Sequence, residues 1–95
     1  MTLEQTVKLM NSSDYKKRFI AEYWQLKIRY ERLKHFNNLI EAAYRTDGEV
    51  TAVVIEPEHD CPYELLREQQ RVMGEYLHIL EVRAVIEDIN LEEVN

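Results

Sequence analysis

The chain has 95 residues, 45% hydrophobic and 32% charged, with two Gly, two Pro and one Cys. That length makes one domain at most, and the balance of apolar and charged residues excludes a disordered, collagen-like or disulfide-framed chain. Net charge is −6 but unevenly placed. Met1 to Thr46 carries nine Lys/Arg against five Asp/Glu, whereas Asp47 to Asn95 carries three against thirteen. An acidic chain with no broad cationic face disfavours duplex DNA, which leaves pairing between the unlike halves, within or between chains, as the plain account.

Residues 2–10 are predicted to form a short leading helix. Thr2 and Gln5 have the spacing of a capping box, and Leu3, Val7 and Met10 fall on one side. A helix this short is not stable alone in water and must dock. Asn11-Ser12-Ser13 breaks the pattern and supplies a cap, with Asp14 expected in the first turn of the next helix.

Residues 14–45 read as one long helix. Phe19, Tyr23, Leu26, Tyr30, Leu33, Asn37, Ile40 and Tyr44 alternate at steps of four and three, the spacing of a seam facing a partner helix. A second apolar set, Ile20, Trp24, Ile28, Phe36, Leu39 and Ala43, lies beside the first. The apolar face is wider than one helix contact requires, which points to self-association. Arg18 with Glu22 and Lys27 with Glu31 are placed for ion pairs across one turn.

The connector, 46–61, begins with Thr46-Asp47-Gly48-Glu49, where Gly48 suits a helix end. Val50 to Ile55 is β-branched and reads as a short strand or an extended segment; an exposed apolar edge there is a second hint of contact between copies. Residues 62–87 form the second long helix, with Pro62 expected at its first position. It carries two seams, Leu65, Val72, Tyr76, Ile79 and Ile86, and Leu66, Met73, Leu77, Leu80 and Ala84. Gly74 between them permits a close approach by another helix. Glu87 to Leu91 reads as the helix end and the last residues as a fraying tail.

The fold class is therefore all-α: an antiparallel two-helix hairpin with a short N-terminal helix, a single domain over residues 1–95. So thin a core, without disulfides or metal, calls for a homo-oligomer. No apolar run reaches the roughly 20 residues that span a bilayer, the N-terminus lacks the basic segment and apolar run that mark a secretory signal, and the single Cys61 cannot form an intrachain bridge, so a cytoplasmic, membrane-free protein is expected.

No catalytic signature is present. Ser12 and Ser13 act as caps, no glycine-rich loop cradles a phosphate, and His59 with Cys61 falls short of a metal set. His35 and His78 read as ordinary polar residues. The expectation is a protein that is not an enzyme, with no catalytic residue, metal or cofactor. One grouping has another character: Lys16, Tyr23, Lys27, Tyr30 and Lys34 follow helical spacing, flanked by Tyr15, Arg18, Arg29 and Arg32. Phenol rings stack on bases while cations hold phosphate, so the grouping suits a small anionic nucleotide; the same pattern also arises when tyrosines fill a core and lysine stems cover it.

The stretches Asp14-Tyr15-Lys16-Lys17-Arg18-Phe19-Ile20-Ala21-Glu22-Tyr23, Cys61-Pro62-Tyr63-Glu64-Leu65-Leu66-Arg67-Glu68-Gln69 and Met73-Gly74-Glu75-Tyr76-Leu77 resemble a family of small proteins of crAss-like and other gut bacteriophages. More distantly, they resemble the helical hairpin of phage sponge proteins that block CBASS and Thoeris immunity, with Tyr15, Pro62, Leu65, Val72, Tyr76 and Leu77 in the matching places. That resemblance implies an oligomeric, non-enzymatic anti-defence protein of the host bacterial cytoplasm that sequesters a cyclic nucleotide signal at subunit interfaces. It implies Tyr15 stacking on a base and Lys27 or Arg29 holding phosphate, with Tyr23 in the same ligand-binding group. The alternative is a non-catalytic helical interaction module that docks on a host or phage protein.

Overall fold

The computed structural model describes residues 1–46 and 55–92. Those residues form three helices, α1 (Leu3–Met10), α2 (Tyr15–Arg45) and α3 (Tyr63–Ile86), in a body of 54 × 24 × 22 Å. Val50 to Val54, where a strand was in question, lie outside the described residues; Ile55 is exposed.

The start of α1 is as its sequence predicts. Thr2 accepts from the Gln5 backbone N–H at 3.2 Å, and the Gln5 side chain accepts from the Thr2 N–H at 2.8 Å, satisfying two donors that no helical carbonyl can reach. The helix docks on α2. Thr6, wholly buried, donates to the Leu3 carbonyl and accepts from Gln25 at 3.1 Å, while Leu9 enters the core.

α2 begins one residue later than predicted, because Asp14 is the cap rather than a first-turn residue: its carboxylate accepts from the Lys16 N–H at 3.0 Å. Ser12 instead accepts from the Asp14 N–H at 3.0 Å, which sets the turn before the cap. A carboxylate two residues from a free N–H makes the stronger, charge-assisted bond. Pro62 likewise caps α3 instead of occupying its first position.

α3 packs along α2 from one end to the other. The start of α2 meets the end of α3 through Tyr15 and Glu87, its middle meets Glu81 through Tyr23, and Asn37 meets Leu66 and Gln70 near the start of α3. The core between them is Phe19, Ile20, Ala21, Tyr23, Leu77, Leu80 and Ala84, joined by Leu9 of α1 and by Ile89. The second of the two predicted α3 seams is therefore the buried one. Gly74 lets the helices close: a Cβ there would stand 3.3 Å from the Tyr30 ring. Asn37 is fully enclosed, its amide donating to the Leu66 carbonyl and to Gln70 at 3.1 Å each, with its Oδ1 unpartnered.

The segment after α3 is docked as far as Leu91, and Glu92 is exposed; residues 93–95, the rest of the expected fraying tail, lie outside the described residues. Asp88 takes φ 56°, the left-handed conformation, so that the Ile89 N–H reaches the Ala84 carbonyl at 2.8 Å and Ile89 turns into the core. Leu91 follows, its carbonyl accepting from the Trp24 indole N–H at 2.6 Å. Ile20 and Trp24 of the second apolar set on α2 are thus covered from within the chain.

Candidate functional site

Of the four residues expected to bind a ligand, Tyr15 and Arg29 are exposed. Tyr15 stands at the first position of α2, 46% exposed, with its ring tilted against Phe19 at a centroid separation of 6.2 Å. Its hydroxyl donates to Glu87 Oε1 at 2.8 Å and accepts from Arg83 Nη2 at 2.7 Å. Arg83 completes the corner: its Nε bonds Glu87 at 3.0 Å and its guanidinium carbon lies 5.0 Å from the Phe19 ring centroid. Lys16 binds the Asp88 carbonyl at 3.2 Å, and Tyr76 donates a short hydrogen bond to Glu22 on the neighbouring edge.

The electrostatics follow from those bonds. The Tyr15 hydroxyl and then the Arg83 guanidinium hold the Glu87 carboxyl below the usual carboxylate range, while the bond to Glu87 pushes the Tyr15 phenol up. The bond to Glu87 in turn raises the pKa of Arg83, holding its charge more firmly. This corner can present an aromatic face and a bedded guanidinium to an anion, with Glu87 as the internal partner that an anion would displace.

Tyr23 does not belong to that surface. It is 5% exposed, packed edge-on against Trp24, and donates to Glu81 at 3.0 Å. Burial, and then the bond to Glu81, push its phenol up to about 12. Within the chain Tyr23 is a core residue, because its place on the α2 seam faces α3.

Lys27 is half-buried and pairs with Glu31 at 3.7 Å, as its spacing predicts, whereas Arg29 is exposed and makes no ion pair among the described residues. Two positions along a helix turn side chains about 200° apart, so Lys27 and Arg29 lie on opposite edges of α2. Tyr15 and Arg29 share an edge but are separated by about 21 Å along the axis. One chain alone does not bring the four residues together. The predicted pair of Arg18 and Glu22 is also replaced: Arg18 donates to the Ser12 carbonyl at 2.9 Å, and Glu22 takes Tyr76.

Sequence reasoning missed Arg83, Glu87 and Phe19 as a unit. Phe19 and Arg83 are 64 positions apart, and the only available signal was an arginine in the last turn of the second long helix. At the other end of the α2–α3 pair, Arg67 bonds Glu41 at 2.8 Å, Gln70 at 2.7 Å and the Tyr63 hydroxyl at 2.6 Å. His59, in the connector, bonds the Cys61 carbonyl at 2.7 Å and Glu56 at 3.1 Å, which raise its pKa in that order, and lies edge-on to Phe36. Among the described residues no group of three or more His, Cys, Asp or Glu could hold a metal ion, and no helix is long and apolar enough to cross a membrane.

The model of one protein family, described as Sequestin, matches residues 13–86, a span that takes in α2, the connector and α3. Neither the curated proteins nor the solved structures yield a match to the chain. With most of its length inside the family model, the chain belongs to the Sequestin family.

Proposed function

We propose, with membership of the Sequestin family as the premise, that this chain is a sequestering protein: a phage-encoded anti-defence sponge that binds cyclic nucleotide immune signals without cleaving them. The observation that carries this reading is the family match itself, whose name suggests a sequestering role and whose span covers the helices bearing Tyr15, Lys27, Arg29 and Arg83. The working form is a helical hairpin assembled into a homo-oligomer in the host cytoplasm. The separations within one chain support assembly. Tyr15 and Arg29 are too far apart to hold one small ligand, so a site using both draws them from different copies. Tyr15 supplies a stacking face, Lys27 and Arg29 hold phosphate, and Arg83 is a further cation beside Tyr15. Tyr23 supports the site from behind, through the core.

The test is the thermal stability of the purified protein against cyclic dinucleotides, cyclic trinucleotides and cyclic ADP-ribose isomers, with the ligand recovered and analysed afterwards. A ligand at a hundred times its Kd adds about 2.7 kcal/mol and raises Tm by several degrees. The expected result is a shift with one class and return of that ligand intact. Replacing Lys27 and Arg29 together by Gln should abolish the shift and leave the oligomer mass unchanged. No shift with any member of the panel would bring forward the rival reading, an interaction module for a host or phage protein, which draws on the apolar face that α3 leaves exposed.

A further inference from the structure

One carboxylate, just past the end of α3, is held by two helices at once. Glu87 Oε1 accepts from the Tyr15 hydroxyl at 2.8 Å and Oε2 from Arg83 Nε at 3.0 Å, so each oxygen has its own donor, one on α2 and one on α3. The donors are themselves tied together, since Arg83 Nη2 donates to the Tyr15 oxygen at 2.7 Å and the guanidinium lies on the Phe19 ring. Lys16, on the Asp88 carbonyl at 3.2 Å, puts a second positive charge beside the same carboxylate. Arg71 and Glu75, at the same spacing on the same helix, make a plainer pair: one contact of 2.8 Å between side chains 60 and 64% exposed, with no third partner among the described residues.

Two converging donors on a bedded guanidinium and a phenol form a fixed receptor for an oxyanion that offers two oxygens, and the chain fills it with a carboxylate of its own. We infer that Glu87 is a built-in competitor of this corner, an internal oxyanion that keeps Arg83 and Tyr15 aligned and that the phosphate group of a ligand must displace. The carboxylate is seated but free to leave. Its side chain is 30% exposed, and the backbone bonds that end α3, from the Glu87 N–H to the Arg83 carbonyl and from the Ile89 N–H to the Ala84 carbonyl, both at 2.8 Å, do not involve it. Rotation of one side chain opens the position while the docked residues that follow keep their place.

Self-occupation acts as a filter. A free anion that enters gains the two donors only by breaking the charge-assisted bonds of Glu87, so the exchange returns little. An anion joined to a flat aromatic group also covers the exposed ring of Tyr15, a contact that Glu87 cannot match. Glu87 thus selects against inorganic phosphate and for a phosphate ester of an aromatic base. This is regulation of the site proposed above, and the identity of the natural ligand rests on that reading; the competition between Glu87 and a phosphate group does not.

Nuclear magnetic resonance of the Tyr15 ring and the Arg83 Nε–H, titrated with inorganic pyrophosphate at constant ionic strength, tests the competition with no nucleotide present. Glu87→Gln keeps the shape of the side chain and an acceptor oxygen but removes the charge, and should bind pyrophosphate about tenfold more tightly than the wild type, or better. Adding Arg83→Gln should abolish that gain. Glu75→Gln removes the same charge from the Arg71 pair and should change the affinity by less than about twofold. Circular dichroism and Trp24 emission of each variant should match the wild type. Glu87→Gln binding pyrophosphate no better than the wild type overturns the inference, as does a gain that Glu75→Gln equals or that survives Arg83→Gln. The expected gain together with a silent nucleotide panel supports the competitor and counts against the nucleotide reading alone, so the two fail separately.

Discussion

Tyr23 sits where a seam tyrosine must choose between two roles, and its hydroxyl settles the matter by finding Glu81 across the helix interface. A phenol held at about 12 rather than 10.0 resists ionisation in the folded state. Its folded pKa is raised, so its contribution to stability is intact below pH 10 and is lost as pH rises from 10 towards 12. The separation of the two values corresponds to about 2 to 3 kcal/mol at the upper end of that window. Urea unfolding between pH 9 and 12 should show the decline, Tyr23→Phe should flatten it, and ultraviolet titration of the wild type should find one phenolate forming near pH 12. That Tyr23 belongs to a seam was legible from the alternation of four and three. Its burial against Glu81 was not, because the partner carboxylate stands 58 positions away. Asn37 was read as one more seam position, and that it would be enclosed with an unpartnered Oδ1 is a matter of three-dimensional packing no spacing rule contains. For Tyr15, the first position of α2 made exposure legible, but the Arg83 and Glu87 that clasp it were not.

Helix starts were the most legible elements, because caps are local: Thr2 and Gln5 form the predicted box, and the start of α2 moved by a single residue. The end of α3 was the least legible. A helix that stops on Gly announces itself, whereas this one stops on Asp88 in the left-handed region, a place where a side chain costs about 1 kcal/mol and where sequence reading expects glycine. The carbonyl that Lys16 uses at Asp88 belongs to the backbone, so the side chain can be removed without losing that bond. Asp88→Gly should therefore stabilise the fold by about 1 kcal/mol, visible as a rise in Tm of about 4 °C or more. A fall in Tm would mean that the exposed carboxylate carries a contact of its own. The same hidden turn explains why residues 87–91 were read only as a helix end: the docking of 89–91 depends on Ile89 being swung into the core, and nothing in Asp-Ile-Asn-Leu signals that swing. Likewise the two α3 seams were both legible as apolar, but which of them faces α2 was not, since either spacing fits a helix partner.

Taken whole, the molecule is a long pair of helices fastened by polar contacts at both ends, Arg67 with Glu41 near the connector and Arg83 with Tyr15 and Glu87 at the other. Its unlike charged halves meet partly within the chain, through those contacts, and partly remain open on the outer faces. The nucleotide panel and the mass of the assembly belong to this scale, and they answer separate questions: what the surface captures and how many copies share it. Trp24 lends the molecule a means of observing itself. It is the single tryptophan of the chain, and its indole N–H is committed to the Leu91 carbonyl while its ring leans on Tyr23. Emission from the native protein is therefore a private signal of whether the last turns of the chain are seated: release of residues 89–92 frees the indole to water and reddens the fluorescence, even while α2 and α3 remain paired and the circular dichroism stays constant.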